Sequence, residues 1–143
     1  MTGSIDLIRQ ILPHLSQVTP LQPDNERGVI ILVSSSAAFD GQPGQVAYSA
    51  SKGAIASLTL PLARDLARYG IRVVTLAPSL FDSGMTALMS DKVRNSLTRV
   101  MEFPLRPGLP HEFASLVKEG IVNSMLNGTV IRIDGAMRMP SKM

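Results

Sequence analysis

Three short β-branched, apolar runs constrain this chain more than any other feature: Val29-Ile30-Ile31-Leu32-Val33, Ile71-Arg72-Val73-Val74-Thr75-Leu76 and Thr129-Val130-Ile131-Arg132-Ile133. The first sits inside a continuous run from Gly28 to Ser35, the pattern of a parallel strand buried on both faces. Between the first two runs a long helix is expected, about Val46 to Tyr69, with Gly70 as its stop. Between the second and third, Pro110 to Asn123 reads as a helix, and Ser90 to Met101 has weaker helical character. Strand, helix, strand, helix, strand is the order of a doubly wound α/β fold with a parallel sheet. The strands are expected at about 28–35, 71–77 and 129–133. Upstream, Ile5, Ile8, Leu12 and Leu15 recur at helical spacing, with Ser4 as the N-cap and Pro13 breaking the register near Ser16. Thr19 to Arg27, with Pro20 and Pro23, reads as a surface loop.

A length of 143 residues suits one domain, and no internal repeat divides it. Hydrophobic residues make up 45% and charged residues 17%, which fits a buried core. The net charge of +3 comes from 14 basic and 11 acidic residues that are scattered along the chain. With no Lys/Arg run and no aromatic stacking platform, a nucleic-acid partner is not expected. The absence of cysteine excludes disulfides, thiolate metal sites and cysteine nucleophiles. His14 and His111 are isolated, so no metal site is expected. No apolar run approaches the roughly 20 residues that span a bilayer, and Met1-Thr2-Gly3-Ser4 leads into a helix with no signal-peptide pattern. These patterns leave the compartment open, whether cytoplasm or mitochondrion within a cell, and no membrane partner is expected.

The chemistry lies in Tyr48-Ser49-Ala50-Ser51-Lys52, with Ser35 thirteen positions before the tyrosine. Residues four apart share one face of a helix, so Lys52 brings an ammonium beside the Tyr48 phenol. A neighbouring positive charge favours phenolate, and such a tyrosine trades a proton with an alcohol or carbonyl oxygen near neutral pH. Ser35 closes the first apolar run, where its hydroxyl can hold the same oxygen. The arrangement resembles the Ser-Tyr-Lys centre of the short-chain dehydrogenases/reductases. The likeness extends to Gly28-Val29-Ile30-Ile31, Ala37-Ala38-Phe39, Thr59-Leu60-Pro61, Ala63-Arg64-Asp65-Leu66-Ala67, Asn127-Gly128 and Val130 to Ala136. Within that family these segments are similar to the type-2 3-hydroxyacyl-CoA dehydrogenases, also called 17β-hydroxysteroid dehydrogenase type 10.

That resemblance implies NAD(H), a secondary alcohol/ketone pair on an acyl-CoA or steroid substrate, and a homo-oligomer. It implies that Ser35 orients the substrate oxygen, Tyr48 is the acid/base, and Lys52 binds the nicotinamide ribose. Pro78-Ser79-Leu80-Phe81 falls where the family has Pro-Gly next to the nicotinamide, and Ser83 where a threonine often holds the carboxamide. Ser79 departs from that glycine, and its side chain is expected to crowd the cofactor or restrict the backbone. Met85, Met89 and Met101 are expected in an apolar loop, serving either substrate closure or plain packing. Asp134 reads as the start of a turn rather than a third acid/base group.

Family members also carry a first half with the glycine-rich phosphate turn and an acidic residue for the adenosine ribose. Thr2-Gly3 is not such a turn. By the resemblance, residues 1–143 form one partial Rossmann-like domain, the C-terminal half of the family fold. The family's strand order makes the Gly28 strand the fifth of seven, without its neighbour, so its unpaired edge is expected to seek cover in another chain. Two readings stand side by side. One is an oxidoreductase polypeptide with its catalytic residues present. The other is a truncated, catalytically silent homologue acting as an interaction or oligomerising module.

Overall fold

The computed structural model describes residues 2–84 and 86–139. Helix α1 spans Thr2–Leu15, strand β1 Gly28–Val33, helix α2 Val46–Ala67 and strand β2 Ile71–Pro78. Helix α3 (Asp91–Thr98), helix α4 (Pro110–Val122) and strand β3 (Thr129–Ile133) complete the order, with 3-10 turns at Ser36–Ala38 and Thr86–Leu88. The strands form one parallel sheet in the order β1-β2-β3, with Gly28 paired to Ile71 and Val74 to Thr129. This is the expected α/β architecture, part of a Rossmann-like sheet with helices on both faces.

Alternation along the strands sets the layers. Ile30 and Leu32 of β1 and Val73 of β2 join Ile55, Ala63 and Leu66 of α2 in one apolar cluster. Ile8, Leu12 and Leu15 of α1 pack against that cluster, so α1 and α2 share a face. The Thr59 and Thr75 hydroxyls meet there at 2.6 Å, which satisfies two polar groups that have no access to water. Residues of the opposite pleat face α4. Gly120 of α4 lies so close that a Cβ would stand 3.1 Å from the Ile31 side chain. Arg72 is also on that side and only 7% exposed. Its guanidinium is bidentate to Glu26 at 2.9 Å and donates to the Gly120, Ile121, Asn123 and Leu126 carbonyls. One cation thus closes the C-terminal end of α4, where unsatisfied carbonyls carry partial negative charge.

Two expectations need correction. Ser4 does not cap α1, because the helix is already formed at Thr2, and Pro13 lies within its last turn. The β1 run is not buried on both faces: of its residues Leu32 alone is buried and Val33 is exposed. The reason is topological. β1 pairs with β2 on one side only, and along its other edge a groove of about 600 Å³ opens between it and α1. By contrast, seven consecutive residues of the central strand β2, Ile71 to Ala77, are buried.

Candidate active site

Parallel strands put their C-terminal ends on one edge of the sheet, which is where open α/β sheets bind ligands. β1 runs out into Ser34-Ser35-Ser36, β2 into Ser79, and β3 into Asp134-Gly135. Backbone bonds join these exits across the sheet: the Ser34 amide donates to the Leu76 carbonyl and the Ser79 amide to the Ile133 carbonyl.

The first turn of α2 stands at this edge. Tyr48 is 47% exposed there. One turn on, the Lys52 ammonium donates to the Val33 carbonyl at 3.0 Å and sits 5.9 Å from the centroid of the Tyr48 ring. An ammonium has three N–H donors, so this bond leaves capacity for other acceptors. The Ser34 hydroxyl donates to the Lys52 carbonyl at 2.7 Å, fastening the strand end to the helix. Ser35 is buried, and its Oγ accepts from the Ala37 amide at 3.2 Å as the cap of the 3-10 turn. Accepting that bond leaves its O–H to donate. The structure therefore brings Tyr48 and Lys52 together and holds Ser35 in the loop that Val33 and Ser34 bond to the same helix.

The second expected group sits one strand over. Pro78 ends β2. Ser79 lies outside the left-handed backbone region, which among non-glycine described residues holds Asn25 and Ala136, so the serine does not strain the chain there. Its Oγ is buried with no hydrogen-bond partner. Leu80 is buried in a second cluster with Leu97, Met101 and Met137. Phe81 packs edge-on against Phe113 with centroids 5.9 Å apart. Leu80 and Phe81 also line a cavity with Ser79, Met101, Ile133 and Gly135. Ser83 is exposed and makes a mutual bond with Thr86, each amide donating to the other hydroxyl. Of the three methionines, Met101 is core, Met89 is 37% exposed, and Met85 lies outside the described residues.

Charge stiffens the loop after Ser35. Arg132 on β3 is bidentate to Asp40, with its Nη1 at 3.0 Å from Oδ1, and its Nε lies 2.6 Å from Asp134. The Arg132 guanidinium, first by hydrogen bonding, holds the Asp40 carboxyl below its ordinary range, and Asp40 and Asp134 push Arg132 upward in turn. Asp134 also accepts from Arg138 and from the Ala136 amide, the structural role expected of it. Sequence reasoning missed this network, whose partners Asp40 and Arg132 stand 92 positions apart. It also missed Gln42, 7% exposed, whose Nε2 has no hydrogen-bond partner. Among the described residues no cluster of metal-ligating side chains is present.

The model of the family described as short chain dehydrogenase matches residues 1–94. The 3-hydroxyacyl-CoA dehydrogenase type-2 of Bos taurus is 52% identical over 139 residues, which are 97% of this chain and 53% of that protein. The crystal structure of 3-hydroxyacyl-CoA dehydrogenase type-2 from Mycobacterium avium superposes with a TM-score of 0.93 at 34% identity, over 99% of this chain and 55% of its own. A 3-oxoacyl-[acyl-carrier protein] reductase from Brucella melitensis with bound NAD superposes with a TM-score of 0.82 at 26% identity, over 98% and 49%. The chain thus spans about half the length of the curated relatives it matches.

Proposed function

The chain belongs to the short-chain dehydrogenase family, and from that membership we propose that its Ser35, Tyr48 and Lys52 are the acid/base centre of an NAD(H)-dependent oxidoreductase. The reaction is the interconversion of a secondary alcohol and a ketone on a 3-hydroxyacyl-CoA or hydroxysteroid type of substrate. One observation carries the proposal: the Lys52 ammonium is held by the Val33 carbonyl while lying 5.9 Å from the Tyr48 ring, at the edge where Ser35 emerges. In the reductive direction the Ser35 O–H donates to the substrate carbonyl oxygen and holds it. Tyr48 gives that oxygen its proton as it becomes an alcohol, and takes the proton back in the oxidative direction. Lys52 stabilises the charge left on the phenol oxygen.

The residues present fit one end of the dinucleotide. Lys52 has donors to spare for ribose hydroxyls, and the partnerless Ser79 Oγ beside Pro78 supplies a polar group near the expected nicotinamide position. The cofactor, when bound, supplies or accepts the hydride. Residues 1–143 contain no glycine-rich turn after a strand, so the pyrophosphate end has no cradle among them. Residues 1–143 then constitute one partial Rossmann-like domain, and these residues alone are expected to turn over little or nothing, because hydride transfer needs the cofactor held within about 3–3.5 Å.

The test is NADH-dependent reduction of acetoacetyl-CoA, with NADH binding followed in parallel. Any turnover should vanish in Tyr48→Phe with the fold intact, and turnover that survives this change refutes the assignment. Robust turnover by residues 1–143 alone refutes the division of labour. Where turnover is absent, binding decides: Tyr48→Phe should weaken acetoacetyl-CoA about tenfold, the worth of one hydrogen bond.

The second reading, an interaction or oligomerising module, is favoured by the open β1 edge and its apolar groove. Sedimentation at micromolar concentration distinguishes it. A homo-oligomer with no NADH binding supports this reading over the first.

A further inference from the structure

Of the four asparagines in the chain, Asn127 alone precedes a glycine. Asparagine is a thermolabile residue. Its loss is an intramolecular reaction in which the backbone nitrogen of the next residue attacks the side-chain amide carbon. A following glycine has no Cβ to obstruct that approach.

Tertiary structure requires this labile pair. The ladder between β2 and β3 begins at Val74 and Thr129. Val73, one residue earlier, meets the pair instead of a strand. Asn127 Oδ1 accepts from the Val73 amide at 2.9 Å, and the Gly128 amide donates to the Val73 carbonyl at 2.8 Å. Gly128 cannot be traded for a larger residue: its φ is 68°, and a Cβ there would stand 2.9 Å from the Leu60 side chain.

The same two bonds restrain both reactants. The attacking nitrogen is committed to the Val73 carbonyl, and the Asn127 side chain is tethered by its Oδ1, so it cannot turn its carbon toward that nitrogen. Asn127 is exposed, so water is at hand. Among the described residues β3 is an outer strand of the sheet, bonded to β2 on one side. Such a seam opens locally without unfolding of the whole.

We propose that Asn127 is a site of spontaneous deamidation, gated by the seam between β2 and β3. When both Val73 bonds open, the Gly128 nitrogen bonds to Asn127 Cγ, the Cγ–Nδ2 bond breaks, and ammonia leaves with the proton that the nitrogen gives up. Water then opens the cyclic imide at either of its two carbonyls. One product is aspartate. The other is isoaspartate, in which the main chain runs through the former side-chain carbon. Aspartate keeps an oxygen for the Val73 amide. Isoaspartate inserts a methylene into the main chain ahead of Gly128, so Gly128 and Thr129 lose their register with Val73 and Val74. The pair thus records how long the seam has been open, and isoaspartate holds the start of β3 detached.

The experiment incubates the full chain at neutral pH, folded and in concentrated urea, and follows residue 127 by peptide mapping, with isoaspartate identified by an isoaspartyl methyltransferase. Hydrogen exchange of the Gly128 amide in the folded sample measures how often the bond is open. Ile131→Ala loosens β3 outside the reacting pair, and dilute urea does the same should that variant not fold. Residue 127 is expected to convert about tenfold or more slowly in the folded chain than in the unfolded one, since two hydrogen bonds must open first. In Ile131→Ala or dilute urea the rate should rise in proportion to Gly128 exchange. The isoaspartate product should exchange its Thr129–Ile133 amides faster than the unmodified chain, and the aspartate product should not. Equal rates in folded and unfolded chain overturn the gate. A folded-state rate that stays fixed while Gly128 exchange rises also overturns it, as does conversion absent where that exchange calls for it. No conversion in the unfolded chain overturns the site itself.

Discussion

Asp40, Arg132, Arg106 and Glu112 show what single charges do in this protein. Asp40 carries the loop after Ser35 and is held below the ordinary carboxylate range by Arg132. A depressed carboxyl stabilises the fold above its unfolded value and loses that contribution as pH falls through the folded value. Asp40→Asn should cost about 1.5–3 kcal/mol at neutral pH, read from urea unfolding, since a hydrogen bond to a charged group is lost. Arg106, and then the Leu109 amide, lower Glu112 from its ordinary 4.5 to about 2. Its contribution is complete above pH 4.5 and disappears between there and about pH 2. Across that window the melting temperature of Glu112→Gln should fall less steeply than that of the wild type. A parallel decline in both proteins would show that the pair contributes nothing. Neither pair was legible in advance at the level of partners. Tyr48 and Lys52 were, because four residues on a helix is a local distance, whereas the meeting of Asp40 with Arg132 depends on where β3 lies.

At the scale of elements, local pattern and observed structure agree where one strand or helix decides its own limits. Gly70 ends α2 in the left-handed region at φ 69°, and a Cβ there would run into the Asn25 carbonyl. Gly70→Ala should therefore cost more than about 1 kcal/mol in chemical denaturation, from strain and from the clash together. β3 keeps its expected bounds, and Asn127 prepares it by accepting from the Val73 amide at 2.9 Å, with Gly128 turning at φ 68°. Arg72 is the exception. Within an apolar run it reads as an intrusion, yet it is the buried clamp between β2, Glu26 and the end of α4. Arg72→Met should destabilise by about 3–5 kcal/mol, because Glu26 and several carbonyls lose their partner at once. Adding Glu26→Gln should restore part of that loss in the same unfolding assay.

For the molecule as a whole, the open side of β1 is the dominant feature. Leu7 and Ile11 of α1 remain 58% and 39% exposed, on the stripe next to Ile8, Leu12 and Leu15. They line the groove with Val29, Ile31 and Val33. An apolar stripe beside an unpaired strand is a template for pairing. The chain is expected to sediment as a dimer or larger species, and Leu7→Lys with Ile11→Lys should shift it toward a 15.4 kDa monomer without loss of helical signal. A wild-type chain that already sediments as a compact monomer would remove the basis for this.

What the sequence determined by itself follows from short-range rules. Apolar runs of strand length, helical periodicity and a glycine stop placed β1 to β3, α2 and α4 within a residue or two. The spacing of Tyr48 and Lys52 placed both on one turn of one helix. Tertiary structure alone decided the rest. It left β1 half-buried because a strand's burial depends on what lies over it and beside it. It set Leu80 and Phe81 in packed contacts on the wall of a cavity, and it left the Gln42 amide and Ser79 hydroxyl without partners. Hydrogen bonds, ion pairs and burial are set by distances between segments far apart along the chain, and a local pattern carries no record of those distances.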